Sequence, residues 1–374
     1  MKEYKLEELV RVAKRENNIL RPYLYVNPLQ GKHIPVDPRE SIQLFQTMGE
    51  LLDTKCTTER VLAIGFAETA TAIGLAVSEF SETIKYCTHT TREKYDGEKY
   101  LYFTESHSHA TEQSLLVNEY QNVLDNIDRI VFIEDEVTTG NTIYKLITEF
   151  RKEFSDKNLR FGILSILNSM SDDRIAELER EGIFCLYVSR LPHEYRIEEI
   201  NNYTFSEVKE AKWSTAIVET NEIYARNNFR YLCSKSILEL ESTSVITQIW
   251  NNISFNNIHS IVVLGTEEFM YLPLKVAYEI AKKYPNISVR FHATTRSPIL
   301  VSEDNNYPLY CRYGLSSEYD DTRKTFIYNL AKYDLGIVIT DSATDKDLLY
   351  RSLKGALNEA GCEQLSFFRL NYEK

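Results

Sequence analysis

Two adjacent carboxylates and a hydroxyl-rich loop occupy one short stretch of the chain, residues 130–142 (IVFIEDEVTTGNT). An apolar run at 130–133, short enough for one buried strand, ends at Glu134 and Asp135. A loop of small residues follows, and then a helical pattern begins. Backbone N–H groups at a helix start point at an anion, and the helix dipole favours its charge. Carboxylates accept hydrogen bonds from the hydroxyls of a sugar diol. The stretch therefore suits a ribose 5-phosphate.

The loop supplies the phosphate side of this prediction. Its threonine hydroxyls add hydrogen-bond donors, and its glycine lets the backbone approach a ligand closely. The alternative is purely structural: a strand that ends in solvated acids before a capped helix. The residues predicted to wrap the 5-phosphate are Thr138, Thr139, Gly140, Asn141 and Thr142.

The elements that must position these groups alternate between strands and helices. Apolar runs at 61–65 and 161–167 lie on either side of 130–133 in the sequence, with helical patterns between them. Alternation of this kind implies a parallel sheet with helices on both faces. A second pattern of the same kind starts at 261–265 (IVVLG). We therefore predict an α/β fold in both halves of the chain.

The length of 374 residues favours two domains. We place the boundary in an irregular region, giving domains at 1–205 and 206–374. Residues 20–40 are rich in proline and aromatic side chains. They are predicted to form an irregular arm that serves as a lid for recognising a base.

Composition argues against several classes of protein. The net charge of −12 does not suit a nucleic-acid surface, which needs a positive footprint. A phosphorylated substrate stays compatible, because backbone amides and Mg²⁺ supply local positive potential. The six cysteines are scattered without a CxxC pair, as is typical of thiols in a reducing cytoplasm. No secretion signal or apolar run of about 20 residues is present, so a cytoplasmic protein without a membrane partner is expected.

The two halves of the sequence repeat one order of features at an offset near 200 residues, which suggests a duplicated unit. The second half lacks a Thr-Thr-Gly after its aspartate, so a duplicate would have lost its phosphate loop. The alternative is that Thr-Thr-Arg recurs by chance. The repeated features are Gly65, Glu68, Thr90-Thr91-Arg92 and Asp135 in the first half, and Gly265, Glu268, Thr294-Thr295-Arg296 and Asp341 in the second.

The stretch at 134–140 (EDEVTTG) resembles the phosphoribosyl pyrophosphate (PRPP) signature of type I phosphoribosyltransferases: two acids, two variable residues and Thr-Thr-Gly after an apolar strand. With the TTRSP string at 294–298 and YCRYGLSSEY at 310–319, most of the chain is similar to a narrower family. These are the two-part phosphoribosyltransferases of bacterial tellurium-resistance and stress gene clusters, whose C-terminal domain is called TRSP. Glu134 stands where the signature more often has aspartate.

The resemblance implies a type I phosphoribosyltransferase fold with a flexible loop in the first half, and a TRSP domain in the second. It implies a cytoplasmic enzyme that joins phosphoribose from PRPP to a small base-like acceptor and releases pyrophosphate. Mg²⁺ would sit on pyrophosphate and ribose oxygens. Glu134 and Asp135 would hold the ribose hydroxyls and would contact the metal only through water or PRPP. A homodimer is compatible, because this fold often dimerises.

Further site residues follow from the same resemblance. Arg92 would grip pyrophosphate oxygens with its planar fork, unless it forms a surface salt bridge. His107 and His109 lie in a long polar segment that would close over the substrate and hydrogen-bond the departing pyrophosphate. Exposed histidines or an HxH zinc site are the alternatives. The pyrophosphate loop would comprise Gly65, Phe66, Ala67, Glu68 and Thr69, unless this is an ordinary helix start.

Two other functions fit these features. One is a non-catalytic regulator that binds PRPP or a nucleotide. The other makes the second half a scaffold for partner enzymes of one pathway. A regulator would tolerate the loss of Arg92, His107 and His109, and a transferase would not.

Overall fold

The computed structural model describes residues 1–372 apart from Leu20, 104–112, 207–208, Trp213, 215–217, Asp321 and 344–346. The described helices are α1 (Leu6–Leu9), α2 (Pro38–Lys55), α3 (Ala70–Phe80), α4 (Tyr120–Leu124), α5 (Asn141–Glu153), α6 (Asp172–Arg180), α7 (Lys235–Asn251), α8 (Tyr271–Lys283) and α9 (Asp347–Glu359), with a 3₁₀ helix at Ile197–Asn202.

The described strands are β1 (Arg11–Lys14), β2 (Tyr23–Val26), β3 (Val61–Gly65), β4 (Ile84–His89), β5 (Tyr100–Tyr102), β6 (Ser114–Leu116), β7 (Arg129–Val137), β8 (Arg160–Asn168), β9 (Ile183–Arg190), β10 (Lys209–Glu210), β11 (Thr220–Ala225), β12 (Cys233–Ser234), β13 (Ser260–Gly265), β14 (Ser288–Ala293), β15 (Arg312–Ser316), β16 (Lys324–Tyr328), β17 (Leu335–Thr340) and β18 (Gln364–Tyr372).

The chain forms two compact units, and neither is continuous in sequence. Unit 1 comprises Met1–Tyr4, Gln43–His193 and Asn227–Glu241, and unit 2 comprises Lys5–Ile42, Glu194–Arg226 and Ser242–Lys374. The boundary between residues 205 and 206 stays a prediction about the two domains of the sequence.

Unit 1 is built on a six-stranded sheet in the order β12-β4-β3-β7-β8-β9. All neighbours pair in parallel except β12, which is antiparallel to β4. The first five residues of β7 are buried, as expected of a central strand covered on both faces. Helix α5 buries Ile143, Leu146, Ile147 and Phe150, the spacing of one apolar helix face.

Unit 2 contains a five-stranded sheet in the order β11-β18-β17-β13-β14, with parallel pairing throughout. A second sheet, β10-β15-β16, lies in the same unit. The prediction of an α/β fold in both halves is confirmed. Among the described helices, none combines the length and the apolar character needed to cross a membrane.

The arm at 20–40 is more regular than predicted. Its β2 pairs antiparallel with β1, so that Tyr25 lies opposite Val12, and Val26 is fully buried. The arm belongs to unit 2, where Val36 bridges Phe291 of β14. The prediction of an irregular arm is wrong for Tyr23–Val26, because proline-rich sequence does not reveal strand pairing, whereas residues 27–37 lie outside the helices and strands. Its role in base recognition stays a prediction.

A late segment of the sequence completes unit 1. In β12, Cys233 lies opposite Cys87 of β4, and their sulfur atoms are 3.8 Å apart as free thiols. Three residues close to β12 in the sequence are buried: Phe229, Arg230 and Leu238. Residues 227–241 therefore contribute core side chains to a unit that otherwise ends at His193.

This segment makes the stability of unit 1 depend on residues beyond the predicted boundary. A fragment of residues 1–205 should unfold at a lower urea concentration than one of residues 1–241. Burial of Phe229 and Leu238 should contribute roughly 3 to 6 kcal/mol to the free energy of unfolding. Circular dichroism across a urea series measures the difference. As a control, Phe229→Ala with Leu238→Ala in the longer fragment should remove most of the gain. Equal midpoints for the two fragments would contradict the assignment of 227–241 to unit 1.

Candidate active site

Three neighbouring strands of unit 1 end side by side, and we call this the carboxyl edge of the sheet. Gly65 of β3 lies opposite both His89 of β4 and Ile133 of β7. The Phe66 N–H donates to the Ile133 carbonyl at 3.0 Å, and the Thr90 N–H donates to the Gly65 carbonyl at 2.8 Å. The structure therefore brings together the loops that follow these strands.

The loop after β3, residues 65–69, is closely packed. An added Cβ at Gly65 would lie 2.2 Å from the Ala70 carbonyl oxygen, so no larger residue fits there. The Ala67 N–H donates to the Thr90 hydroxyl at 2.8 Å, and the peptide bond between Ala67 and Glu68 is cis. Helix α3 starts at Ala70, directly after the loop.

Arg92 follows β4 and reaches toward this loop. Its Nη1 is 3.9 Å from Oε2 of Glu68, whose side chain is buried. About a quarter of the Arg92 side chain is exposed (25%). Arg92 thus lies beside the loop at 65–69, as predicted, and it also forms a salt bridge, which was the alternative.

The acids at the end of β7 stand at the same edge. Glu134, Asp135 and Glu136 are half-buried, whereas the preceding five residues are fully buried. Ser165 of β8 lies opposite Glu134. Within the part of the chain that the structure describes, no cluster of three or more His, Cys, Asp or Glu side chains could hold a metal ion. A metal at the two acids would need most of its ligands from substrate and water.

The loop at 138–142 presents backbone donors. Gly140 has a φ of +70°, a left-handed conformation that favours glycine, and α5 begins at the next residue. Gly140 offers no side-chain cap, so the N–H groups of Thr142 and Ile143 are available to an anion, while the Asn141 N–H donates weakly to the Thr139 hydroxyl at 3.4 Å. The Thr138, Thr139, Asn141 and Thr142 side chains are exposed beside it.

A cavity of about 690 Å³ adjoins this loop on the side of β8 and β9. The wall of this cavity that is formed by residues after β8 and β9 was not predicted from the sequence. The ends of these strands must nevertheless also lie at the carboxyl edge of a parallel sheet. A basic residue closing a strand, as Arg190 closes β9, was the available signal. The cavity is lined by Thr138, Thr139, Asn141, Ser169, Met170, Ser171, Asp172, Arg174, Arg190, Leu191, Pro192 and His193.

Two predicted site residues, His107 and His109, lie outside the described residues. The flexible loop predicted to carry them falls in the same part of the chain.

Unit 2 repeats the architecture of the carboxyl edge. The Thr294 N–H donates to the Gly265 carbonyl at 3.0 Å, and the Glu267 N–H donates to the Thr294 hydroxyl at 3.0 Å. These bonds match those of Thr90 with Gly65 and Ala67 in unit 1. Likewise, Thr91 bridges Ser114 in unit 1, and Thr295 bridges Phe326 in unit 2. The shared bonding supports duplication over the chance recurrence of Thr-Thr-Arg.

The chemistry at this edge has changed in unit 2. Strand β13 pairs with β17 in the register that β3 has with β7, with Leu264 opposite Val338. Continuing this register places Thr340 where unit 1 has Glu134 and Asp341 where it has Asp135. The Tyr319 hydroxyl donates to Asp341 Oδ1 at 2.6 Å and lies 2.8 Å from the Thr266 hydroxyl. The acid that corresponds to Asp135 therefore accepts a hydrogen bond from a hydroxyl of the protein itself.

Other buried acids near this edge of unit 2 have internal partners or raised pKa values. Glu267 Oε2 accepts from Arg296 Nε at 2.6 Å and from Arg323 Nη1 at 2.9 Å. Burial raises the pKa of Glu318 to about 8, and the nearby Glu267 charge acts in the same direction. The Thr340 hydroxyl and the Arg369 charge oppose this shift in the pKa of Glu318.

Comparison with protein families identifies both halves. Residues 9–189 match the model of a phosphoribosyl transferase family, and residues 238–357 match the TRSP domain that lies C-terminal to it. Together the matched ranges span most of the chain. The comparison with curated proteins gave no match.

Solved structures give more distant likenesses. An adenine phosphoribosyltransferase from Rhodothermus marinus is 12% identical over 50% of this chain and 96% of its own, with a TM-score of 0.33. An orotate phosphoribosyltransferase from Aeropyrum pernix is 16% identical over 48% and 85%, with a TM-score of 0.30. The adenine enzyme of Trypanosoma brucei, solved with AMP, pyrophosphate and ribose-5-phosphate, is 11% identical over 48% and 76%, with a TM-score of 0.32. Likeness at this level does not identify a substrate.

Gly140 provides a test of the phosphate loop. Gly140→Ala should lower the free energy of unfolding by about 1 to 2 kcal/mol, because alanine is strained at this positive φ. It should also weaken ribose 5-phosphate binding, because relief of the strain redirects the loop N–H groups. Gly97→Ala is the matched control, since Gly97 has a φ of +81° and no atom within 4 Å of an added Cβ. Urea unfolding and calorimetric titration measure both effects. Equal binding by both variants would contradict a role for the loop.

Glu318 makes the stability of the protein depend on pH. Its folded-state pKa of about 8 lies above that of an unfolded glutamate, so the folded state retains a proton that the unfolded state releases. Stability should therefore fall as the pH rises from about 5 to 8, by roughly 2 to 4 kcal/mol from this group. Glu318→Gln should remove this component, while Glu303→Gln, at an exposed site, should retain it. Urea unfolding at both ends of the range measures the slope. Parallel slopes for wild type and Glu318→Gln would refute the assignment.

Proposed function

The chain belongs to the phosphoribosyl transferase family that carries a C-terminal TRSP domain, and from this premise we propose that unit 1 transfers phosphoribose from PRPP to a base-like acceptor and releases pyrophosphate. The observation that carries the proposal is the meeting of three strand ends at one edge. There the half-buried acids, the uncapped start of α5 and the loop at 65–69 stand on adjacent strands.

Each part of PRPP has a matching group at this edge. The N–H groups at 138–142 suit the 5-phosphate, and the carboxylates of Glu134 and Asp135 suit the ribose diol. The loop at 65–69 and the guanidinium of Arg92 suit the pyrophosphate. Because β3 and β7 are neighbours, these groups can hold both ends of one ribose while the bond at C1 breaks.

Catalysis would come from position and charge. The transition state of this transfer resembles an oxocarbenium ion, so the enzyme gains most by stabilising the leaving pyrophosphate and orienting the acceptor. In this proposal Arg92 stabilises the departing pyrophosphate. His107 and His109 are proposed to hydrogen-bond it while their loop excludes water.

Mg²⁺ fits the acids present. This ion keeps several waters and binds through one or two carboxylates together with substrate phosphates. Glu134 and Asp135 are two half-buried acids without a third described ligand, which suits an ion held mainly by PRPP. When bound, Mg²⁺ would neutralise pyrophosphate charge as the leaving group departs. The protein's part is to fix the ribose oxygens that share the ion.

The cellular setting follows from the sequence resemblance. We place the enzyme in the bacterial cytoplasm, in a stress or tellurium-resistance pathway. Six free thiols suit a reducing compartment. We assign no second transfer activity to unit 2. Thr340 stands at the position of Glu134, and the acid at the position of Asp135, Asp341, accepts a hydrogen bond from the Tyr319 hydroxyl.

Asp135 tests the transfer reaction. Asp135→Asn should lower kcat/KM for PRPP by about 10-fold to 100-fold, because a charged acceptor of the ribose hydroxyls is lost. The measurement is pyrophosphate release from PRPP and Mg²⁺ over a panel of heterocyclic bases. Asp156→Asn, beyond the end of α5, is the control and should behave as wild type.

The outcomes separate the candidate functions. Equal turnover by Asp135→Asn and wild type would refute the role of the acid. PRPP binding without pyrophosphate release for any base would favour the regulator over the enzyme.

A further inference from the structure

The cavity beside the phosphate loop is lined by residues at and after the ends of β7, β8 and β9, and the two ribose acids are not among its lining residues. Its near wall is the loop at 138–141, and its far wall is formed by the start of α6 and the end of β9. Strands β7 and β9 are two places apart in the sheet, a distance of about 10 Å. A ligand group bound at the end of β9 is therefore a different group from the phosphate bound by the loop after β7. The volume of about 690 Å³ is that of a small-molecule site rather than a single phosphate.

The far wall is basic. Arg190 and His193 line it, and Arg174 stands between the walls, with its Nε 3.4 Å from the Thr139 carbonyl oxygen. The only acid among the lining residues is Asp172, which pairs with Arg190 at 2.9 Å. Its side chain is 97% exposed, so solvent screens this pair and leaves the guanidinium able to bind another anion.

A buried amide holds Arg190 in place. Asn168 at the end of β8 is fully buried, and its Oδ1 accepts from Arg190 Nη1 at 3.1 Å and from the Met170 N–H at 2.9 Å. These two donors fix the oxygen side of the amide, so Nδ2 faces the other way. Among the described residues, Nδ2 has no hydrogen-bond partner. A buried polar group thus fixes the position of the Arg190 guanidinium.

We infer that this cavity receives the acceptor, and that the acceptor is a heterocyclic base bearing a carboxylate, which Arg190 binds. This inference rests on the proposed function, since it names the substrate class of the same site. A planar guanidinium pairs with a carboxylate through two parallel hydrogen bonds, which would fix the orientation of the ring. The N–H groups of Thr142 and Ile143 at the start of α5 add to the positive potential on the side of the near wall.

The transfer balances without another reactant. A ring nitrogen of the acceptor forms the bond to C1 of PRPP, and the C1–O bond breaks. Pyrophosphate leaves with the electron pair of that bond. An acceptor whose reacting nitrogen carries a hydrogen, such as orotate, releases that proton to solvent, and an acceptor without one, such as nicotinate, keeps a cationic ring nitrogen in the product. The carboxylate takes no part in bond making, so it acts only in binding and orientation.

Matched acceptors test this inference in the full-length protein. With PRPP and Mg²⁺, orotate is compared with uracil, and nicotinate with nicotinamide, by pyrophosphate release and by calorimetric binding. A carboxylated base should bind and react with a kcat/KM at least about 10-fold above its neutral partner. Arg190→Gln should remove this preference by raising KM for the acid more than KM for the neutral base, while PRPP affinity is retained. Arg180→Gln, the same charge change on α6 away from the cavity, should keep the preference.

Each contrary result has a distinct meaning. Turnover of neutral bases without a preference for the acids overturns the inference and leaves the proposed function intact. The same holds if PRPP binds and no carboxylated base does. Loss of PRPP affinity in Arg190→Gln assigns the guanidinium to the 5-phosphate and also overturns the inference. Failure of PRPP and of every base to bind overturns both.

Discussion

Close contact between neighbouring strand ends is the constraint on which the rest of unit 1 depends. Gly65 has no space for a side chain, because the carbonyl of Ala70 and the backbone of Gly74 lie against it. Helix α3 can therefore start directly after β3, and the loop between them stays within hydrogen-bond reach of β4 and β7. The proposed PRPP site depends on this proximity, since a pentose phosphate is small and would need the acids of β7 and both loops within a few ångströms.

Unit 2 shows what this constraint leaves free. Its Gly265 is equally crowded, with an added Cβ 2.5 Å from the Phe269 carbonyl oxygen, and its loop bonds match those of unit 1. Nevertheless, Thr340 replaces one acid and the Tyr319 hydroxyl satisfies Asp341. A carboxylate removed from water without a partner is costly, and the Tyr319 hydroxyl supplies an internal donor to the acid that corresponds to Asp135. The backbone arrangement of this edge is thus the same in both units, although the side chains that it carries differ.

Sequence predicted the parts of the site that are local. The apolar run, the acids and the Thr-Thr-Gly loop are consecutive, so strand, loop and helix could be read in order, and the α/β class followed. Features made by distant pairing could not be read. Strand β12 is only two residues long and pairs with β4, although Cys233 and Cys87 are 146 residues apart in the sequence. In unit 2, β2 pairs with β1. The basic wall was missed because Arg190 gains its place only when β9 is aligned with β8.

Each of the two units is completed by residues from the other half of the sequence. Residues 227–241 bring Arg230, Phe229 and Leu238 into the interior of unit 1, and residues 5–42 bring Val26 into unit 2. Loss of residues 206–374 would therefore remove core side chains of unit 1 as well as a domain. The second half can be retained for this reason alone, since marginal stability leaves little room to lose buried apolar surface. Its presence in the chain thus requires no activity of its own.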